Sequence, residues 1–180
     1  MATTSSQLMT VEEFRRLPED TGPVYHELRH GELVPVTRPK LKHMLIQGKL
    51  REYLKKLAEP GSLVEIEVAF RPLPEYELRV ADVAWLSPAR FATADPDDNI
   101  QGAPDLVIEV LSPSNTVAEI YDKEKLCLEN GAQEFWVVDP DRQQVKVSTP
   151  DGHTTTYWAG QEISLPLFGS ARLAVHDIFS

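Results

Sequence analysis

The chain has a single cysteine and no long apolar run, and both features limit what it can be. Because Cys127 is alone among 180 residues, an internal disulfide and a cysteine metal cluster are excluded. Its position between Leu126 and Leu128 on a helical pattern indicates a packed thiol rather than a nucleophile. The apolar runs are much shorter than the roughly 20 residues of a membrane-spanning helix. The first residues also lack the basic start and apolar core of a signal peptide, so we expect a soluble cytoplasmic protein with no membrane partner.

Basic residues are scarce as well. The chain has 18 Lys and Arg against 28 Asp and Glu, a net charge of -10, which argues against a protein that coats nucleic acid. The segment from Arg38 to Glu59 is different, with seven Lys or Arg and two acids. It offers one local basic face for a phosphate backbone, although an ordinary solvated helix face is the alternative interpretation. The sequence has neither a glycine-rich phosphate loop nor a serine nucleophile elbow, and we expect no organic cofactor.

The pattern of apolar residues predicts an α/β fold with a mixed central sheet flanked by helices. A buried strand over 104–114, a helix over 116–130 and a strand over 135–138 form a crossover unit. The length and the 42% hydrophobic content suit one domain, residues 10–180, after a flexible tail of residues 1–9.

The other predicted elements surround this unit. They are a short helix over 11–17, an N-terminal hairpin over 24–36 around His30-Gly31, a helix over 39–59, strands over 62–71 and 77–86, a solvated and mobile loop over 87–103, and a C-terminal β extension. In this extension Trp158, Leu165, Leu167 and Phe168 are expected in the core, and a dimer surface is the alternative.

Two carboxylates in apolar strands are candidate metal ligands. Glu109 lies in the middle of the strand after Pro104, where an unpaired carboxylate costs several kcal/mol. Asp82 lies in the strand ending at Leu86. If the two strands are neighbours, both side chains converge at one end of the sheet, with the Val110 carbonyl as a third oxygen ligand for a hard divalent cation. Asp105 is about 13 Å from Glu109 along the strand and is expected to be structural.

Four segments together resemble a known family. They are Tyr25 to Val34, Val80 to Leu86, Pro104 to Ser114 and Gly131 to Pro140. In order and content they resemble a bacterial restriction-endonuclease-like family, a branch of the PD-(D/E)XK nuclease superfamily. The resemblance implies a restriction-endonuclease-like fold and a homodimer that hydrolyses DNA with Mg2+ or Mn2+ held by Asp82, Glu109 and Val110. Ala81 departs from the name-giving proline, which removes a conformational restraint but no ligand.

The lysine of the superfamily motif is also displaced. Two residues after Glu109 the chain has Leu111, and the resemblance implies that the lysine comes from the next helix, at Lys123 with Lys125 as runner-up. Helix geometry favours Lys123, because Ile120, Lys123 and Cys127 share one stripe whereas Lys125 points about 200° away from Lys123.

Three further residues are candidates for the site. Strand alternation places Glu27 on the face of Arg29, and Glu32 pairs with Arg29 across the hairpin turn. The resemblance turns this face towards the site, although surface ion pairs are the simpler interpretation. His43 matches a histidine of the family pattern, and a packed or surface histidine is its alternative. We therefore predict a Mg2+-dependent endodeoxyribonuclease, and a catalytically silent interaction or regulatory module is the second hypothesis.

Overall fold

A mixed seven-stranded sheet forms the centre of the structure, a computed structural model that describes residues 8–180. In chain order the elements are α1 (Val11–Phe14), β1 (Val24–Arg29), β2 (Glu32–Thr37), α2 (Leu41–Leu57), β3 (Leu63–Arg71), β4 (Arg79–Leu86), α3 (Pro88–Phe91), β5 (Ile100–Gln101), β6 (Leu106–Val110), α4 (Val117–Glu129), β7 (Glu134–Asp139), β8 (Gln144–Ser148), β9 (Thr154–Trp158), β10 (Glu162–Leu165), a 3-10 turn (Pro166–Phe168), β11 (Ala171–Ala174) and α5 (Val175–Phe179). The order across the sheet is β5-β3-β4-β6-β7-β8-β9.

The predicted crossover unit lies at the middle of this sheet. Strands β6 and β7 pair in parallel and α4 connects them, while β4 pairs antiparallel with the other side of β6. Thr116 caps α4 by accepting from the Glu119 amide, and the Glu119 side chain accepts from the Thr116 amide in return. The central mixed sheet with flanking helices confirms the predicted fold class.

Each face of the sheet has its own apolar core, because successive side chains of a strand point to opposite faces. Leu106 and Ile108 of β6 pack with the stripe of α2 that contains Ile46 and Leu50. Val107 instead packs in the cluster that includes Cys127 of α4 and residues Phe70 and Phe135. The cleft between the N-terminal ends of α2 and α4 is thereby fixed at one end of β4 and β6.

The N-terminal hairpin forms a separate two-stranded sheet. Strands β1 and β2 pair antiparallel with Arg29 opposite Glu32, as predicted. Leu28 and Leu78 exchange main-chain hydrogen bonds of 3.0 and 2.9 Å, which join the hairpin to the start of β4. Gly31 has φ 77°, and a Cβ there would lie 2.7 Å from the Leu8 Cβ, so this turn requires glycine. Of the expected tail, residues 1–7 lie outside the described residues, and the Met9 amide donates to the Gly31 carbonyl at 2.9 Å.

The segment from residue 87 to residue 103 is more ordered in secondary structure than the loop that we expected. It contains α3, and β5 pairs in parallel with β3 through Phe70 and Ile100. Arg71 Nη1 lies 3.2 Å from Asp98 Oδ2, and Arg15 also bonds Asp98. The acidic composition suggested solvation, but these cations anchor the segment to the sheet and to the end of α1.

The C-terminal β extension is present and has two parts. Strands β8 and β9 continue the central sheet, whereas β10 and β11 form their own hairpin and are followed by α5. Ile163, Leu173 and Ile178 join the α2-side core. Trp158 does not, and it is 51% exposed because it ends β9, the edge strand of the sheet. Within residues 8–180, no helix combines the length and apolar character needed to cross a membrane.

Candidate active site

Asp82 and Glu109 face each other on neighbouring strands. The β4–β6 ladder pairs Val83 with Ile108, so the next residues outwards are Asp82 and Glu109. The Val110 amide donates to Asp82 Oδ2 at 2.6 Å, and the Asp82 amide lies 3.4 Å from Glu109 Oε1. Main-chain groups of each strand therefore hold the carboxylate of the other, and the two acids meet at one end of the sheet.

Lys123 completes this pair from α4. Its Nζ lies 2.7 Å from Glu109 Oε1 and donates to the Val80 carbonyl at 2.6 Å. Lys123 is buried on the same stripe as Cys127, as the helical spacing predicted. Lys125 points elsewhere, with its side chain 61% exposed and 4.0 Å from Glu129. Of the two candidate lysines, the structure brings Lys123 to the carboxylates.

Burial and neighbouring charges shift the protonation of this group. Burial raises the pKa of Glu109, Lys123 opposes the rise, and the charge of Asp82 adds to it. Burial lowers the pKa of Lys123, but Glu109, Glu27 and Asp82 outweigh it and the net pKa is raised. Lys123 therefore remains an ammonium ion at neutral pH, whereas the pKa of Glu109 is raised to about 8.

Glu27 belongs to this group and Glu32 does not. Glu27 is 2% exposed, accepts from the Val80 amide at 2.9 Å and lies 3.9 Å from Lys123 Nζ. Arg29 Nε donates to Glu27 Oε2 at 2.8 Å, as the shared face predicted. Arg29 Nη1 donates to Glu119 Oε1 at 2.7 Å, whereas the sequence predicted a pair with Glu32. Glu32 is exposed at the start of β2 and is not among the residues that line the site cavity.

Two residues of α2, Gln47 and His43, contact Asp82, and neither is a Lys or an Arg. Gln47 Nε2 donates to Asp82 Oδ1 at 3.1 Å, and His43 Nε2 lies 3.1 Å from the same oxygen. The His43 contact is close but poorly aligned, and both buried ring nitrogens lack a hydrogen-bonded partner among residues 8–180. Burial lowers the pKa of His43, whereas Asp82, Glu67 and Glu109 raise it and prevail. The histidine implied by the resemblance therefore does contact the predicted carboxylate.

Glu67 is a fourth carboxylate at the site, and sequence reasoning missed it. Its Oε1 accepts from Gln47 Nε2 at 2.5 Å. The residue has φ 52° in the middle of β3, a left-handed conformation that costs a non-glycine residue about 1–2 kcal/mol. The ladder with β4 skips Glu67 although pairing continues on both sides of it. A strand pattern carries no signal of this turn, which directs the carboxylate to the cavity wall although the residue as a whole is solvent-accessible.

Asp105 and Cys127 have the structural roles expected of them. Asp105 Oδ2 accepts from the Ser87 amide at 2.8 Å and Oδ1 from Gln133 Nε2 at 3.0 Å, which fixes the start of β6. Cys127 is fully buried, and burial raises the pKa of its thiol, so it remains protonated and unreactive.

The carboxylates lie in a cavity of about 590 Å3 with a basic rim. The rim residues Arg38, Lys40 and Lys42 are exposed and lead into α2. Helix α2 begins without a side-chain cap and without an acid in its first turn, so its first main-chain N–H groups are available to an anion. The floor of the cavity thus suits a cation and its rim suits phosphate.

The donor set fits a hard divalent cation through oxygen. Asp82 Oδ1 and Glu109 Oε2 are both free of main-chain amides and of Lys123, and the Val110 carbonyl is the third candidate ligand. Throughout residues 8–180, no three His, Cys, Asp or Glu side chains are already grouped to hold a metal ion. A cation here would therefore rely on two carboxylates, a main-chain carbonyl and water.

Comparisons with known proteins show the family and the fold of the chain. A family model named Uma2 and described as "Putative restriction endonuclease" matches residues 11–176. The chain belongs to the Uma2 family. Its structure is similar to that of a putative nuclease belonging to DUF820 from Anabaena variabilis ATCC 29413, with a TM-score of 0.79 and 27% sequence identity over 95% of this chain and 97% of that one. No curated protein matches it. Membership of the Uma2 family confirms the predicted resemblance and the restriction-endonuclease-like fold.

Proposed function

We propose that this protein is a divalent-metal-dependent endonuclease that hydrolyses DNA phosphodiester bonds. The observation that carries the proposal is the meeting of Asp82, Glu109 and the Lys123 ammonium at one end of β4 and β6, inside a cavity with a basic rim. Membership of a family described as putative restriction endonucleases supports the reaction class.

Each of the chain's own residues has a distinct part in this proposal. Asp82, Glu109 and the Val110 carbonyl would hold Mg2+ or Mn2+, which supplies positive charge to polarise a phosphate and to lower the pKa of water. Lys123 places an ammonium beside Glu109, where it can hold the attacking water or stabilise negative charge on the phosphate. Glu27 keeps Lys123 and Arg29 in place from the outer side.

The basic residues of the rim support the proposal that this acidic protein accepts a DNA strand. The net charge is -10, yet the cavity mouth has Arg38, Lys40 and Lys42 on one side. On the other side are the polar residues from Ser112 to Asn115, in which Asn115 Oδ1 accepts from the Ser112 amide at 2.7 Å. Phosphate contacts at this mouth would place the scissile bond over the carboxylates.

The test is cleavage of supercoiled and linear DNA in the presence of Mg2+ or Mn2+. Wild type is expected to cut, and chelation of the cation is expected to stop it. Asp82→Asn and Glu109→Gln should lose cleavage while keeping their circular-dichroism spectra. The matched control is Asp105→Asn, a buried carboxylate at the other end of β6 that is outside the cavity lining. Cleavage that persists in both site variants would exclude this site as the nuclease centre.

The second candidate function is a nuclease-fold module that does not cut and acts in protein interaction or regulation. The overall acidity and the small number of preformed metal ligands among residues 8–180 favour it. A wild-type protein that is folded and binds Mn2+ or DNA but never cleaves any DNA would select this alternative.

A further inference from the structure

Positive charge is distributed unequally among the four carboxylates of the cavity. Glu109 has Lys123 at 2.7 Å, and Glu27 has Arg29 at 2.8 Å. Among the ion pairs of residues 8–180, Asp82 has only His43 as a partner, and Glu67 has none with Lys or Arg. The Lys and Arg partners therefore lie on the Glu109–Glu27 side of the site, and His43 is the one basic side chain paired on the Asp82–Glu67 side among the described residues.

A single neutral nitrogen holds these two carboxylates together. Gln47 is 1% exposed, and its Nε2 donates to Glu67 Oε1 at 2.5 Å and to Asp82 Oδ1 at 3.1 Å. A donor between two carboxylate oxygens occupies the kind of position that a cation prefers. The amide can also turn over to present Oε1, which is itself a metal-type ligand.

The backbone of β3 is bent towards this position. Ile66 pairs with Val83 and Val68 pairs with Ala81, so the strand register is the same before and after Glu67. Only Glu67 leaves the ladder, at φ 52°. Its neighbour Glu65 keeps the regular strand conformation and pairs with Arg51 at 2.7 Å. Strained backbone at a functional site is characteristic of a residue whose position matters more than its local stability.

We propose that Glu67 is a further carboxylate of the metal centre. Until a cation binds, the Gln47 amide nitrogen occupies the position between Glu67 and Asp82 that the cation would take. The inference rests on the proposed function, because it concerns the same cation. On cation binding, the Glu67 carboxylate would exchange its hydrogen bond from Gln47 Nε2 for the cation. This adds a third acidic group, directly or through a bound water, to the two that the sequence predicts.

The experiment is calorimetric titration of the DNA-free protein with Mn2+. Glu67→Gln keeps the size of the side chain and removes its charge, and it is expected to weaken the Mn2+ Kd by at least about tenfold. Glu65→Gln is the matched control, since it makes the same change two residues away on the same strand, outside the cavity lining. Its Mn2+ Kd is expected to equal that of wild type.

The melting temperature without cation shows whether Glu67 is a metal ligand or a residue that only stabilises β3. Loss of a charge beside Asp82 should leave Glu67→Gln melting at or above wild type. An unchanged Kd in Glu67→Gln, while wild type binds Mn2+, overturns the inference and leaves the proposed function intact. Weaker binding together with a lower melting temperature also overturns it, because the loss then follows from damage to β3. If wild type itself binds no Mn2+, the proposed metal dependence fails and this inference fails with it.

Discussion

The Lys123 ammonium lies 2.7 Å from Glu109 Oε1, whereas Lys125, two residues later on α4, is 4.0 Å from Glu129 at the surface. If Lys123 stabilises charge during hydrolysis, Lys123→Met should lower kcat by about 100-fold to 1,000-fold, the usual effect of removing one such donor. Lys125→Met should leave kcat close to wild type. Single-turnover cleavage of a labelled DNA measures both.

Stability measurements keep this prediction distinct from simple unfolding. Removing one partner of a buried ion pair costs about 3–5 kcal/mol, and protonation of Glu109 would reduce that cost. The double variant Lys123→Met with Glu109→Gln should therefore recover part of the stability lost in Lys123→Met. Full activity in Lys123→Met, or its loss in Lys125→Met, would show that the lysine assignment is wrong.

Cation binding should be visible as thermal stabilisation without any DNA. A ligand at about 100 times its Kd adds about 2.7 kcal/mol, which corresponds to a rise of about 5–11 °C for a domain of this size. Mg2+ or Mn2+ should raise the melting temperature of wild type by this amount. Asp82→Asn and Glu109→Gln should abolish the rise in differential scanning calorimetry. Equal rises in all three proteins would mean that the cation binds elsewhere.

The meeting of Asp82 and Glu109 could be predicted because it follows from sheet geometry. Each acid interrupts an apolar strand, and the crossover from β6 through α4 to β7 was clear in the sequence. Once β4 and β6 are neighbours, the register requires the two side chains to meet. The 3.6-residue period of α4 likewise selected Lys123 over Lys125.

Other parts of the site depend on interactions that no local pattern reveals. Glu65 and Glu67 are two residues apart in a predicted strand, yet only Glu67 of the two has a positive φ. Glu65 therefore pairs with Arg51, whereas Glu67 lines the cavity. The pairing of Arg29 with Glu119 instead of Glu32 required the distance between β1 and α4, which is set by tertiary packing. The secondary structure within residues 87–103 was not predicted for the same reason, because the ion-pair partners of this segment are remote in sequence.

Asp98 should make this segment sensitive to acid. Hydrogen bonding from Arg15 lowers the pKa of Asp98 below its ordinary value of 3.8, and Arg71 adds to the effect. A lowered pKa in the folded state means that the ionised carboxylate contributes stability above the ordinary pKa and loses it as the pH falls through the folded value. Wild type should therefore melt higher than Asp98→Asn at pH 7, and the difference should disappear as the pH falls through the lowered pKa of Asp98. Parallel melting curves from pH 7 to pH 2 would contradict the prediction.

The basic rim should contribute the salt dependence of DNA binding. Lys40 and Lys42 lie at the cavity mouth, whereas Lys49 and Lys56 line a separate groove beside α5. Each lost phosphate contact lowers the slope of log K against log salt by about 0.9, so Lys40→Ala with Lys42→Ala should reduce the slope by about 2. The control pair, Lys49→Ala with Lys56→Ala, removes the same charge further along α2 and should change the slope much less. Fluorescence anisotropy with a short duplex at several salt concentrations measures this, with Ca2+ in place of Mg2+ to limit cleavage. Equal losses in both pairs would mean that DNA follows the whole of α2 and does not enter through the cavity mouth.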